Sequence, residues 1–257
     1  MNYSIDAKNL SYRQLNSKVR KIASDRKNQS AEIELIDICG HRYIGDGIKG
    51  QINMRIQGIP GNDLGAFMDG PTIEVFSNGQ DGIGNTMNSG KIIIHGDAGD
   101  ILGYSMRGGE IYVKKSVGYR CGIHMKSYDR KVPVIVIGGS AGNFLGEYMA
   151  GGIIIVLGLF KPETVNSPYI GHRTGVTGDY LGTGMHGGSI YVRGDVAPYQ
   201  LGKEVKKQDV DSSDLEILNK HISNYFNYFG KDMSIDARDF KKLVPYSHRP
   251  YGKLYAY

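Results

Sequence analysis

Six methionines each follow a glycine by three residues: Gly65/Met68, Gly84/Met87, Gly103/Met106, Gly122/Met125, Gly146/Met149 and Gly182/Met185. Thioether sulfur is a soft ligand, so clustered methionines could hold copper, but such a site needs ligands that converge on one point. Residues that return at a fixed period lie along an axis instead, which makes them a core column. Aspartates recur in the same stretch (Asp63, Asp81, Asp97, Asp100, Asp179) and could bind calcium if stacked. The Gly-Gly-x-Gly-x-Asp repeat of calcium-loaded β-helices is missing, and turn chemistry accounts for them. Glycine-rich runs such as 138–152 could cradle a phosphate, yet each leads into a strand, and no Gly-Lys-Ser/Thr is present. His124 and His186 flank Met125 and Met185 on opposite sides, so they do not share a position and read as corner or surface histidines. Cys39 and Cys121 have no CxxC spacing, which argues against zinc, iron-sulfur clusters and a disulfide framework. No nucleophile and base pair or paired carboxylates stand out. The expectation is a chain with no catalytic residue, no cofactor ligand and no metal site.

The elements behind these residues follow from their period. Successive methionines lie 19, 19, 19, 24 and 36 residues apart, a 19-residue unit widened by insertions of 5 and 17. Each unit carries an alternating apolar pair: Ile73 and Val75, Ile92 and Ile94, Ile111 and Val113, Ile154 and Val156, Ile190 and Val192. That is strand periodicity with one face turned inward. The corners between, such as residues 96–100 and 138–142, are too short and too rich in helix breakers to hold a helix. A short unit of strands and corners buries its apolar face only by coiling and stacking on the next, about 4.8 Å away. The prediction is an all-β core, a parallel β-helix, right-handed as parallel crossovers are, with α-helical caps. Its methionines form one internal column and its Ile/Val pairs two more. The glycine before each methionine should sit where φ is positive or where a neighbour leaves no room for a Cβ.

A formal charge of +5 and a pI near 9.0 are mildly basic, but the basic residues are scattered, with short clusters at Lys114-Lys115, Lys206-Lys207 and Lys241-Lys242. Nucleic-acid binding wants a concentrated stripe, so no nucleic-acid partner is expected. The start lacks a basic and apolar leader, and no run approaches 18 apolar residues, which predicts a cytoplasmic chain without a membrane span.

The flanks divide the chain into a cap over 1–40, the β-helix over 41–195 and a C-terminal part over 196–257. Residues 9–27 read as an amphipathic helix with Asn9 or Ser11 at its N-cap and Leu15, Val19 and Ile22 on its apolar face. A strand over 32–38 leads to a first, irregular coil around Gly40, Gly45, Gly47 and Gly50. Residues 126–133 form a polar surface bulge. The larger insertion, within 159–175, is a candidate partner interface through Tyr169, His172 and Arg173, residue types that often dominate interface energy. Ser213-Asp214-Leu215-Glu216 reads as a capping box that opens a helix ending at Gly230. Residues 236–243 read as a shorter helix, and the remainder as an extended arm.

The motifs carry a resemblance. Gly146-Glu147-Tyr148-Met149-Ala150-Gly151-Gly152 and Gly182-Thr183-Gly184-Met185-His186-Gly187-Gly188 resemble the glycine-repeat (GXGXG) C-terminal domain of the glutamate synthase large subunit. The whole chain, from Ile5-Asp6-Ala7 through Arg42-Tyr43-Ile44-Gly45-Asp46-Gly47 to Arg249-Pro250-Tyr251-Gly252, is similar to a stand-alone form of that domain. The resemblance implies a structural subunit in glutamate biosynthesis with no active site of its own. Its expected partners are a glutamine amidotransferase subunit and an FMN-binding synthase subunit, with the flavin and iron-sulfur chemistry on those other chains. The same domain type forms one of the subunits of formylmethanofuran dehydrogenase, which is the alternative, together with a self-associating homo-oligomeric scaffold. A β-helix carbohydrate lyase or hydrolase would want a carboxylate or basic cluster along one face, and that cue is missing.

Overall fold

The Ile and Val pairs that mark each unit line up strand upon strand. The computed structural model describes residues 1–25, 29–160, 175–230 and 234–246. In it β2 (Ala31–Cys39), β3 (Ile52–Ile59), β4 (Asp69–Val75), β5 (Ser89–Ile94), β6 (Glu110–Val113), β7 (Val134–Ile137), β8 (Ala150–Val156) and β9 (Gly187–Arg193) each pair with the next in parallel, as the wall of a parallel β-solenoid. The register puts Ile73, Ile92, Ile111, Ile135, Ile154 and Ile190 in one ladder, and Val75, Ile94, Val113, Ile137, Val156 and Val192 in a second. The six methionines form the third column, each fully buried. A fourth column, not anticipated, runs beside them: Leu64, Ile83, Leu102, Cys121, Leu145 and Leu181. Each aliphatic side chain taken from water in these columns contributes about 1.5–3 kcal/mol before the cost of ordering the chain.

The N-terminal cap has two parts. α1 (Tyr12–Asp25) buries Leu15 and Val19 against the first coil, as expected. Ser11 is its N-cap: the backbone N–H of Ser11 donates to Gln14 Oε1 at 2.9 Å, and Ser11 Oγ accepts from the Gln14 N–H at 3.4 Å. Asn16 ties the helix to the solenoid by donating to the Arg42 carbonyl at 2.8 Å. The second part was not read from the sequence: β1 (Asn2–Asp6) adds a parallel strand beside β2. The first coil is also more regular than expected. Gly45 and Ile48 stand 20 residues before Gly65 and Met68, and Lys49 bridges Asp69 in parallel, so an isoleucine takes the methionine's place in an intact register.

Two corrections fall at the other end. Residues 236–243 do not form a helix: a 3-10 turn at Ala237–Asp239 leads into β11 (Phe240–Pro245), which pairs antiparallel with β9, while β10 (Val205–Asp209) pairs with β11 at the sheet edge. The three-residue spacing of Phe240 and Leu243 looks helical, but in a strand it puts them on opposite faces, and both faces are covered. The helix α2 (Ser212–Phe229) ends at Gly230 as expected, but its capping box is Asp211 with Asp214, not Ser213 with Glu216. Asp211 Oδ1 accepts the Asp214 N–H at 3.0 Å, and Asp214 Oδ2 accepts the Asp211 N–H at 2.9 Å. Asp214 wins this place because its other oxygen accepts from Tyr191 Oη and from Lys242 Nζ, both at 2.7 Å, in a buried site. α2 lies on the outer face of the wall, with Leu218, Ile222 and Tyr225 packed on Tyr112, Val136, Ile155 and Tyr191.

Candidate functional site

The chain turns each corner through three left-handed residues at alternate positions. In one coil these are Ile101 (φ 51°), Gly103 (φ 69°) and Ser105 (φ 51°). The triplet recurs as Asp63/Gly65/Phe67, Arg120/Gly122/His124 and Phe144/Gly146/Tyr148, every member at positive φ. Between and after them, Leu102 and Met106 turn inward and are fully buried. The middle residue is always glycine for a reason beyond φ. A Cβ on Gly103 would lie 2.5 Å from Ile135 Cδ1, and Gly84, Gly122 and Gly146 meet Ile111, Ile154 and Ile190 at the same 2.5 Å. The Met106 N–H then donates to the Gly103 carbonyl at 3.1 Å, which sets the three-residue spacing. The glycine is thus both left-handed and crowded.

The corner aspartates hold one coil to the next. Asp81 Oδ1 accepts the Asp100 N–H at 2.9 Å, and Asp100 Oδ1 accepts the Tyr119 N–H at 2.7 Å. Beside this ladder, Asn78 Oδ1 accepts from Asp97 N–H at 2.9 Å and Asp97 Oδ1 from Ser116 N–H at 3.0 Å. This is turn chemistry repeated at the period of the coil. Among the described residues no group of three or more His, Cys, Asp or Glu is placed to hold a metal ion.

Several further groups that could do chemistry have structural places. Cys121 sits in the interior column, and burial pushes its thiol up, away from the reactive thiolate. Cys39 is exposed. His186 Nδ1 lies 3.3 Å from the Gly184 carbonyl. Under α2, Tyr112 Oη donates to Glu110 Oε2 at 3.2 Å, accepts from Asn224 Nδ2 at 3.2 Å and lies 2.9 Å from His221 Nδ1. Burial lowers His221 below its ordinary 6.5, which keeps the ring neutral in this network. The three residues expected at an interface, Tyr169, His172 and Arg173, lie outside the described residues.

A feature of the site that sequence reasoning missed is the outer side of the corners. His124 stacks on Tyr148 (ring centroids 5.3 Å apart, planes at 11°) and Phe144 on Tyr180 (4.8 Å, 10°). The signal was present: these residues stand two before or two after the corner glycines and share their period.

Stacked coils, glycine corners and an apolar interior define the class, a glycine-cornered parallel β-solenoid. The family model of the GXGXG motif matches residues 13–245, and the chain belongs to that family. It is 45% identical over 258 residues to "Uncharacterized protein MJ1350" of Methanocaldococcus jannaschii, which covers 98% of this chain and 95% of that one. In fold it is similar to a chain of the formyltransferase/hydrolase complex of Methylorubrum extorquens, solved with methylofuran. The TM-score is 0.59 at 21% identity, over 86% of this chain and 84% of that one. No helix among the described residues is long and apolar enough to cross a membrane.

Proposed function

We propose that this chain is a non-catalytic assembly subunit of a multi-subunit oxidoreductase of the glutamate synthase type, with glutamine hydrolysis and flavin and iron-sulfur chemistry on partner chains. The observation that carries this reading is the interior. From Leu64 to Leu181 the inward columns are apolar and fully buried, and the corner carboxylates of Asp81, Asp97 and Asp100 are engaged in holding the next coil. Such a body is stiff and offers its outer faces, which is what a scaffold needs. On this reading the chain holds no cofactor of its own.

A second reading is a structural subunit of a formylmethanofuran-type complex. It is favoured by the likeness in fold to a chain of a formyltransferase/hydrolase complex, and family membership supports both equally. Purification of the chain from its native cell, with identification of the co-purifying chains, separates them. An amidotransferase chain and a flavin-bearing synthase chain are expected. Formyltransferase or hydrolase chains would replace the first reading by the second. One FMN per isolated chain, or glutaminase turnover by it, would overturn both.

A further inference from the structure

The helix α2 is held differently from the coils that it covers. The inward columns and α1 form one apolar cluster, whereas α2 packs with Tyr112, Val134, Val136, Ile155 and Tyr191 in a second cluster on the outer face of the wall. The two clusters share no residue, so α2 can part from the wall while the coils stay packed. Within the second cluster lies a polar network around His221, which is only 4% exposed. Buried ionisable groups hold a surface together no better than well-packed apolar ones, and histidine is the type whose charge changes near neutral pH.

The geometry of the network decides what an added proton does. Tyr112 Oη spends its one proton on Glu110 Oε2 and accepts from Asn224 Nδ2, both at 3.2 Å. His221 Nδ1, 2.9 Å from the same oxygen, fits there as a second donor. That sets the Nδ1–H tautomer and leaves Nε2 to take the added proton. Among the described residues, the charged and titratable groups that face the ring are Glu110 and Tyr112 on β6, Lys91 on β5 and Lys220 on α2. Lys91 Nζ lies 3.8 Å from Glu110 Oε2 and donates to Tyr228 Oη, so the carboxylate is already shared. A proton on His221 therefore adds a cation to a buried site that holds one carboxylate between two lysines. A second histidine meets α2 with the opposite sign: His95 lies edge-on to Phe229, and its Nε2 is 2.9 Å from Glu74 Oε1, a contact that protonation strengthens.

We propose that His221 is an acid-sensitive latch, whose protonation releases α2 from the outer wall while the coils stay folded. Burial holds the docked ring below the 6.5 of a free histidine. Released, the ring takes up its proton as pH falls through about 6.5; docked, it does so only at lower pH. The docked state is therefore unaffected well above pH 6.5 and loses stability below it. Over that window the release equilibrium rises by up to about tenfold per pH unit. Release uncovers Val136 and Ile155, which are fully buried when α2 is docked.

The test is amide hydrogen exchange on the full chain at about pH 7.5 and about pH 5, corrected for the intrinsic pH dependence of exchange. Protection of α2 should fall at least about tenfold relative to α1 and to β3, β4 and β5. In the same titration the ring resonance of His221 should change together with the loss of protection. His221→Asn, whose Nδ2 donates from the place of Nδ1, should keep α2 protected at both pH values, and His95→Gln should leave the response of the parent. Unchanged protection of α2 overturns the latch, as does a loss that α1 and the strands share, because the molecule then opens as one body. A His221 ring that titrates apart from the release overturns it too, and so does an acid response that persists in His221→Asn. The comparison of α2 with the coils and the ring titration are read on the unmodified chain, so they decide even where a variant does not fold.

Discussion

The two sides of one corner obey different rules although the backbone is left-handed on both. On the inner side Gly103 repeats in every coil, because its missing Cβ leaves room for Ile135 Cδ1. On the outer side the equivalent left-handed positions hold Asp63, Ile101, Arg120, Phe144 and Tyr180 in successive coils, with Gly82 among them. Positive φ costs a residue about 1–2 kcal/mol, which a stacked solenoid tolerates, whereas a Cβ at 2.5 Å from a packed methyl displaces the core. Contact, more than φ, decides where glycine is obligatory.

The largest effect should come from the inner side. Met106→Asp places a carboxylate in a column with no partner, and the variant should lose on the order of several kcal/mol in chemical denaturation. A variant melting within a degree or two of the parent would break the picture of a packed methionine column. Gly103→Ala should cost about 2–4 kcal/mol, from overpacking against Ile135 together with the φ strain. Asp100→Ala removes the acceptor of the Tyr119 N–H between coils and should cost about 1 kcal/mol; an effect near zero would show that water replaces the ladder. On the outer side the sign reverses. Ser105→Gly, at the same φ, should be neutral or stabilising by up to about 1 kcal/mol in the same denaturation series, and a clear loss would mean that the outer positions also serve the fold.

How much of this was legible follows from the same contrast. The Gly and Met positions could be read because the contact forces glycine at one place per coil, and a forced residue leaves a period. The positive φ of the outer residues could not, although their spacing from the corner glycine was legible, since nothing in Phe67 or Ile101 announces it. The fourth interior column was hidden because Leu, Ile and Cys interchange there, with Cys121 as its least typical member. Continuous apolar runs such as Ile92-Ile93-Ile94 and residues 153–156 did signal a wall covered on both faces, and from them the docking of α2 could have been read. β1 has five residues and no alternation strong enough to stand out, and β11 copied a helical spacing by burying opposite faces. The expected interface at Tyr169, His172 and Arg173 lies outside the described residues.

The central claim, that contact fixes the corner glycine, is tested most directly by a double-mutant cycle between Gly103→Ala and Ile135→Val. Valine lacks the Cδ1 that the new Cβ would meet, and the next atom of Ile135, Cγ1, is 3.6 Å away. If contact decides, the double variant is more stable than Gly103→Ala alone, with a favourable coupling of about 1–3 kcal/mol and a residual cost near that of φ strain. Additive losses, with the double variant less stable than either single one, would contradict the account and return the glycine to backbone conformation alone.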